Sequence, residues 1–187
     1  DRYFVNTVAA GVMPEAVGSV SIEQKTRLGP MAYFLTGLKA LQSRRTSLFK
    51  IESDEGTEVR RSPLIVAMLT SSVGSFNNIA PKAKVDDGTI WLAVFKEFNY
   101  LDVLKVIPEV LAGLPINSEY MTLTQIKKAR ISIVDDEKLS TNMDGDKGPD
   151  FPLELEVCPS FLRVYVPRKA VQTGFNPIVV PKELFHG

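Results

Sequence analysis

Cysteine and histidine are almost missing from this chain: 187 residues contain only Cys158 and His186. A single cysteine excludes an internal disulfide and a cysteine-based zinc site, and it suits a reducing compartment. A single histidine, next to the last residue, argues against a Ser-His-Asp triad or a histidine-ligated catalytic metal. Acid–base chemistry then falls to carboxylates, lysines or tyrosines. Charge of one sign is also missing. Lys+Arg and Asp+Glu both number 22, so no basic field invites nucleic acid and no polyanionic tail appears. No apolar run approaches the roughly twenty residues that span a bilayer, and no signal peptide is recognisable. There is no G-x-G-x-x-G and no P-loop, so nothing in the sequence resembles a cradle for a triphosphate. Internal repeats and low-complexity segments are absent too.

What is present reads as one soluble globular domain, long enough for a proper core, with 44% hydrophobic and 24% charged residues. The chain opens on Asp1-Arg-Tyr-Phe-Val-Asn6, already strand-like and without an initiator methionine. That reads as a piece of something longer, with residues needed for function expected upstream.

Tyr3 to Ala9 is expected to form a first strand, ending at Gly11. Pro14 to Val17 could form a short helical turn. A helix is expected after Gly29, because Pro30 suits a first turn and Met31, Phe34, Leu35, Leu38 and Leu41 share one face. Thr46 to Ser53 and Thr57 to Arg61 form a hairpin through Asp54-Glu55-Gly56. Leu64 to Thr70 and Ile90 to Phe95 are short continuous apolar runs, as expected of strands buried on both faces or in a sandwich core. Leu101 to Leu111 carries Leu101, Leu104, Ile107 and Leu111 at helical spacing, with Pro108 predicting a kink or early stop. Beyond Pro115 the pattern is β again: Met121 and Leu123, Ile131 and Ile133, Leu153, Leu155 and Val157, then Phe161 to Val166. Nine or ten strands against two helices predict an α+β, mainly β domain: a two-layer β-sandwich with a few helices at its edge. Residues 1–167 are the expected domain, and 168–187, with Pro177 and Pro181, an extended arm that must dock or stay mobile.

Three acidic clusters are candidates for chemistry. In Ser140-Thr-Asn-Met-Asp144-Gly145-Asp146-Lys147-Gly148-Pro149, two carboxylates flank a glycine between two strands. An ordinary acidic hairpin accounts for this pattern locally, since Asp-Gly is the commonest short hairpin signal. The same turn would lift a carboxylate clear of a sheet edge to take a proton or hold a metal. Lys84-Val-Asp86-Asp87-Gly88-Thr89 precedes a buried strand. It reads either as an Asx-turn or as the oxygen-rich site that Mg²⁺ or Ca²⁺ prefers. Asp135-Asp136-Glu137 is expected to be a solvated hairpin tip, with nothing apolar around it to shift a pKa. Arg44-Arg45 and Arg60-Arg61 read as ordinary surface charge, with a face for phosphates or anionic lipid headgroups as the alternative.

Taken together, several segments resemble one family. Arg2-Tyr-Phe-Val-Asn-Thr-Val-Ala-Ala-Gly11 is similar to the strand that opens the C-terminal domain of soluble bacterial diacylglycerol kinases, within the NAD-kinase-like superfamily. Lys25-Thr-Arg-Leu-Gly-Pro-Met-Ala-Tyr-Phe-Leu-Thr-Gly37 resembles the segment that follows it. Pro81-Lys-Ala-Lys-Val-Asp-Asp-Gly88 and Asn142-Met-Asp-Gly-Asp146 occur in the family's order and at about its spacing. The resemblance runs to about Val166.

It implies a two-domain lipid kinase whose N-terminal domain carries a GGDGT nucleotide loop, absent from this chain, and whose C-terminal β-sandwich closes the cleft over the lipid. In the family, the acidic residue that ends an Asp-Gly-Glu motif is the proposed general base. That position is Asp146 here, one methylene shorter, with Asp144 as a supporting carboxylate. The family's structural Mg²⁺, carried over, would use the Lys84 carbonyl, the Asp87 carboxylate and the Thr89 carbonyl. The implied activity is transfer of the ATP γ-phosphoryl group to the hydroxyl of diacylglycerol, giving phosphatidic acid. Phosphoryl transfer to an alcohol needs an aligned base and a metal to neutralise phosphate charge, and a carboxylate serves without histidine.

The implied setting is cytoplasmic and peripheral to a membrane, with Mg-ATP bound through the absent domain, no nucleic acid, and a homodimer as one assembly the family allows. The chain alone is expected to be inactive. Alternative readings are a sphingoid-base or NAD-type kinase domain with the same sandwich, or a non-catalytic β module that binds lipid or protein.

Overall fold

The computed structural model describes residues 2–11, 46–73, 77–97, 102, 105–106, 112–135, 139–163 and 165. Among them are ten strands: β1 (Thr7–Gly11), β2 (Ser47–Ser53), β3 (Gly56–Ser62), β4 (Leu64–Met68), β5 (Ile90–Phe95), β6 (Met121–Ile126), β7 (Lys128–Ile133), β8 (Thr141–Met143), β9 (Asp146–Lys147) and β10 (Leu153–Glu156). They form a six-stranded sheet in the order β6-β5-β4-β1-β8-β9 and a four-stranded sheet in the order β10-β7-β2-β3. Every pairing is antiparallel.

The smaller sheet follows from strict alternation. Phe49 and Ile51 in β2, Ala129 and Ile131 in β7, and Leu153 and Leu155 in β10 are buried, while Lys128, Arg130, Glu154 and Glu156 face solvent. One face is therefore core and the other wet. The larger sheet is covered on both faces, which is why β4 and β5 read as unbroken apolar runs. Ile65 and Ala67 of β4, with Val8, Leu92 and Val94, pack against Phe49, Ile51 and Ile131 of the other sheet. Leu64, Val66 and Met68 point the opposite way into a second cluster with Ile79, Ala80, Ala93, Phe95 and Met121. The result is the expected mainly β sandwich.

The chain changes sheets at Ser62-Pro63, between β3 and β4. Gly11 is held at φ +130° against this corner, and a Cβ there would meet the Pro63 carbonyl oxygen at 2.2 Å. Only glycine fits that approach. The β2–β3 hairpin turns at Asp54-Glu55, and Gly56 has φ +135°.

Several expectations change. The first strand begins at Thr7 rather than Tyr3, because the N–H groups of Val5 and Asn6 are bound by the side chain of Asp144 rather than by a neighbouring strand. Residues Phe161 to Arg163 and Tyr165 form no strand. The turn at Pro159-Ser160, with Ser160 at φ +57°, takes the chain off the sheet and leaves Phe161, Leu162 and Tyr165 exposed. The Asp135 end of the third acidic cluster is not a solvated tip. Its Oδ2 accepts the Leu48 N–H at 2.8 Å and lies 3.8 Å from the Arg61 guanidinium, and its Oδ1 is buried without a hydrogen bond. Asp136 and Glu137 lie outside the described residues. So do the expected helix after Gly29, the turn at Pro14, Arg44-Arg45, the arm 168–187 and most of Leu101 to Leu111, of which Asp102, Lys105 and Val106 are helical. No helix among the described residues is long and apolar enough to cross a membrane.

Candidate functional site

The Asp144-Gly145 pair joins β8 to β9, the edge strand of the larger sheet. Both turn residues have positive φ, +52° and +99°, as in the type I′ turn that Asp-Gly favours because its twist matches the strands on either side. β8 pairs with β1 through Val8–Met143, Ala9–Asn142 and Ala10–Thr141. The hairpin thus rests on the first strand of the domain.

The two carboxylates of this hairpin differ in what they bind. Asp144 accepts three consecutive backbone N–H groups from the segment entering β1: Val5 at 2.6 Å, Asn6 at 2.9 Å and Thr7 at 2.8 Å. Its own N–H donates to the Thr7 carbonyl at 2.9 Å. Asp146 is exposed on β9, and its carboxylate has no hydrogen-bond or ion-pair partner among the described residues.

The Lys84–Thr89 turn is organised by Asp87. Its Oδ2 accepts the Lys84 N–H at 3.1 Å and the Trp91 indole N–H at 3.0 Å, while its Oδ1 accepts the Thr89 N–H at 3.0 Å and the Thr89 hydroxyl at 2.7 Å. Gln125 Nε2 in turn donates to the Thr89 hydroxyl oxygen at 2.9 Å, tying the turn to β6. Burial pushes the Asp87 carboxyl up, but the Trp91, Lys84 and Thr89 donors outweigh it and hold the group below its ordinary range.

A hard cation suits the oxygens offered here, namely the Asp87 carboxylate and the Lys84 and Thr89 carbonyls. However, all four lone-pair positions of the carboxylate already face protein donors, and the Lys84 carbonyl accepts the Asp87 N–H at 3.3 Å. A cation would have to displace a donor, and the Thr89 hydroxyl is the one that can rotate away. No three His, Cys, Asp or Glu side chains gather among the described residues to supply more charge.

A groove of about 1070 Å³ separates this turn from the entering segment 2–5 and the segment 152–162. Val8, Leu69, Leu153 and Leu155 contribute apolar surface, and Lys84, Asp87 and Thr89 stand on its wall. Exposed Tyr3, Val5, Val85, Phe161 and Leu162 line the same groove. Cys158, a free exposed thiol, does so as well. From the hairpin side the wall includes Met143 and Pro149, but not Asp144 or Asp146. The turn and the hairpin therefore flank the same entering segment without meeting in one cavity.

The sequence missed Trp91 and Gln125 as partners of the turn. The signal Trp91 carried is its residue type: a tryptophan within an apolar strand brings an indole N–H that needs a partner, and it is the one incompletely buried position in β5. It also missed Asp54, whose carboxylate accepts the Lys127 and Lys128 N–H groups at the β6–β7 junction.

Comparison with known proteins gives one family and a consistent set of relatives. The chain is 29% identical over 171 residues to a diacylglycerol kinase of Bacillus subtilis, covering 91% of this chain and 56% of that protein. It is 27% identical over 172 residues to a diacylglycerol kinase of Staphylococcus carnosus, covering 92% and 56%. A crystal structure of a Bacillus anthracis diacylglycerol kinase superposes with a TM-score of 0.61 at 20% identity, covering 83% of this chain and 50% of that one, and shows the same fold. The chain spans little more than half the length of the relatives it matches. Residues 6–166, nearly all of the sandwich and both candidate segments, match a single family profile, and the chain belongs to the YegS C-terminal NAD kinase beta sandwich-like domain family.

Proposed function

We propose that this chain is the C-terminal half of an ATP-dependent lipid kinase that phosphorylates the hydroxyl of diacylglycerol, giving phosphatidic acid, at the cytoplasmic surface of a membrane. The names of the relatives support the lipid-kinase class. The observation that carries the assignment within this chain is the contrast among its three candidate carboxylates. Asp144 and Asp87 are committed to protein donors, whereas Asp146 is exposed on β9, next to the turn, and has no partner among the described residues.

In the proposed reaction, an Asp146 oxygen accepts the proton of the lipid hydroxyl as that hydroxyl's oxygen attacks the γ-phosphorus of ATP. The new O–P bond forms as the bond to the β,γ-bridging oxygen breaks, and ADP leaves with that electron pair. The proton then passes from Asp146 to water. In this reading the nucleotide is bound by a separate domain outside this chain, which spans little more than half the length of its relatives. Mg²⁺ held by the Lys84 and Thr89 carbonyls and by Asp87, in place of the Thr89 hydroxyl, would be structural and would stiffen the wall of the groove.

The test is ATP-dependent phosphorylation of diacylglycerol in mixed micelles. The complete protein that contains this domain is expected to be active, and residues 1–187 alone inactive. Robust turnover by residues 1–187 alone would overturn the division of labour. Absence of activity in the complete protein on diacylglycerol and on other lipid alcohols would leave a non-catalytic binding module as the better reading.

A further inference from the structure

The geometry points to Asp144 as a positioning residue: a latch that fixes the Asp146 hairpin to the segment by which the chain enters the domain. This rests on the reading of Asp146 as the base. Both oxygens of Asp144 are turned onto the N–H groups of Val5, Asn6 and Thr7 at 2.6–2.9 Å. Those partners lie 137 to 139 positions earlier in the sequence. Two further ties act on the same pair of segments. The Asp144 N–H donates to the Thr7 carbonyl at 2.9 Å, and the Arg2 guanidinium donates to the Lys147 carbonyl, one residue past Asp146, at 3.0 Å.

β9 is two residues long and, among the described residues, pairs with β8 alone. A ribbon this short at a sheet edge has little to hold it in place. The β8–β9 ladder alone would leave Asp146 free to swing, and the latch removes that freedom. A base that must meet a hydroxyl at hydrogen-bond distance gains from this, because a displacement of about 1 Å can cost about a hundredfold in rate.

An acceptor-only group is required. Asparagine has one acceptor oxygen and an NH₂ that would face a backbone N–H, so one of the three bonds becomes a donor–donor contact. Asparagine also tolerates the left-handed backbone at this position. Asp144→Asn therefore keeps the turn and breaks the latch.

The experiment uses the complete protein and two readouts. The first is hydrogen exchange of the amides of residues 5–7. Exchange is expected to rise at least tenfold in Asp144→Asn, while β4 and β5 exchange as in the parent and Asp146→Asn keeps parental protection at residues 5–7. The second is steady-state kinetics. Asp144→Asn is expected to lower kcat about ten- to a hundredfold, with KM for both substrates within about twofold and the shape of the pH–rate profile retained. A residue that served stability alone would lower the yield of folded protein without this split.

Should Asp144→Asn fail to accumulate, Val5→Pro deletes one donor from the opposite side of the latch and is expected to give the same kinetic pattern, with faster exchange read at the amides of residues 6 and 7. Parental protection at residues 5–7 in Asp144→Asn would overturn the latch. So would loss of protection with parental kcat, in a protein that Asp146→Asn inactivates. Near-parental kcat in Asp146→Asn would overturn the base and with it the positioning role, while the exchange data would still decide whether the latch exists.

Discussion

Tyr3 and Phe161 stack across the mouth of the groove, with ring centroids 5.2 Å apart and planes 13° from parallel. Two segments that border the groove thus meet, although 158 positions separate the two rings in the sequence. Offset stacking of this kind contributes about 0.5–1.5 kcal/mol beyond area burial. Both rings are mostly exposed, 66% and 63%, which favours the lower end. A double-mutant cycle of Tyr3→Ala and Phe161→Ala in chemical denaturation is expected to show a coupling of about 0.5 kcal/mol. Strict additivity would mean that the rings adjoin without holding the two segments together.

Asp54 gives a pH dependence of known sign. Hydrogen bonds from the backbone N–H of Lys127, then of Lys128, lower its carboxyl below the ordinary value of 3.8, against a smaller opposing effect of burial. A carboxyl lowered by folding stabilises the folded state fully above its unfolded value, and that contribution is lost as pH falls through the lower folded value. Asp54→Asn is therefore expected to be less stable than the parent at neutral pH, with the gap closing below about pH 3.8. Thermal unfolding of both proteins across acidic pH measures it. A gap that stays constant to the lowest pH would show that the Asp54 charge is not what links the β2–β3 turn to the β6–β7 junction.

Asp87 organises its turn through four donors, so Asp87→Asn, which keeps size but presents an NH₂ to some of them, is expected to cost about 1–3 kcal/mol. Trp91→Phe removes one donor and is expected to cost about 1 kcal/mol. If the turn also holds Mg²⁺, added Mg²⁺ raises the melting temperature of the parent more than that of Asp87→Asn. An equal response in both would remove the metal from this turn while leaving its structural role intact.

Much of this fold is legible residue by residue. Leu153 and Leu155 alternating with Glu154 and Glu156, or Phe49 and Ile51 alternating with Lys50 and Glu52, state a one-sided sheet. The run Leu64–Met68 states a strand covered on both faces, and Asp54-Glu55-Gly56 states a hairpin. What was not legible is long-range. Nothing near Tyr3 announces that the N–H groups of Val5 and Asn6 are taken by a carboxylate almost 140 residues later, so the first strand reads four residues too early. Phe161 and Leu162 have the apolarity of a strand but no neighbour to pair with once the chain turns away at Pro159-Ser160. In the candidate site, the three carboxylates were legible as a set but not in their division. Asp-Gly-Asp announces a turn, and only the fold shows that its first aspartate binds three amides of the entering segment while its second has no partner among the described residues.

The kinetics of Asp146→Asn in the complete protein test the assignment of the base most directly. The substitution keeps size and removes the proton acceptor at an exposed edge position, so folding should be unchanged. Loss of a positioned general base typically costs about a hundred- to ten-thousandfold in rate. A drop in kcat of that size is expected, with measurable activity retained in Asp146→Glu, whose carboxylate reaches one methylene further. Near-parental turnover by a correctly folded Asp146→Asn would contradict it and reduce the Asp-Gly-Asp hairpin to an ordinary surface turn.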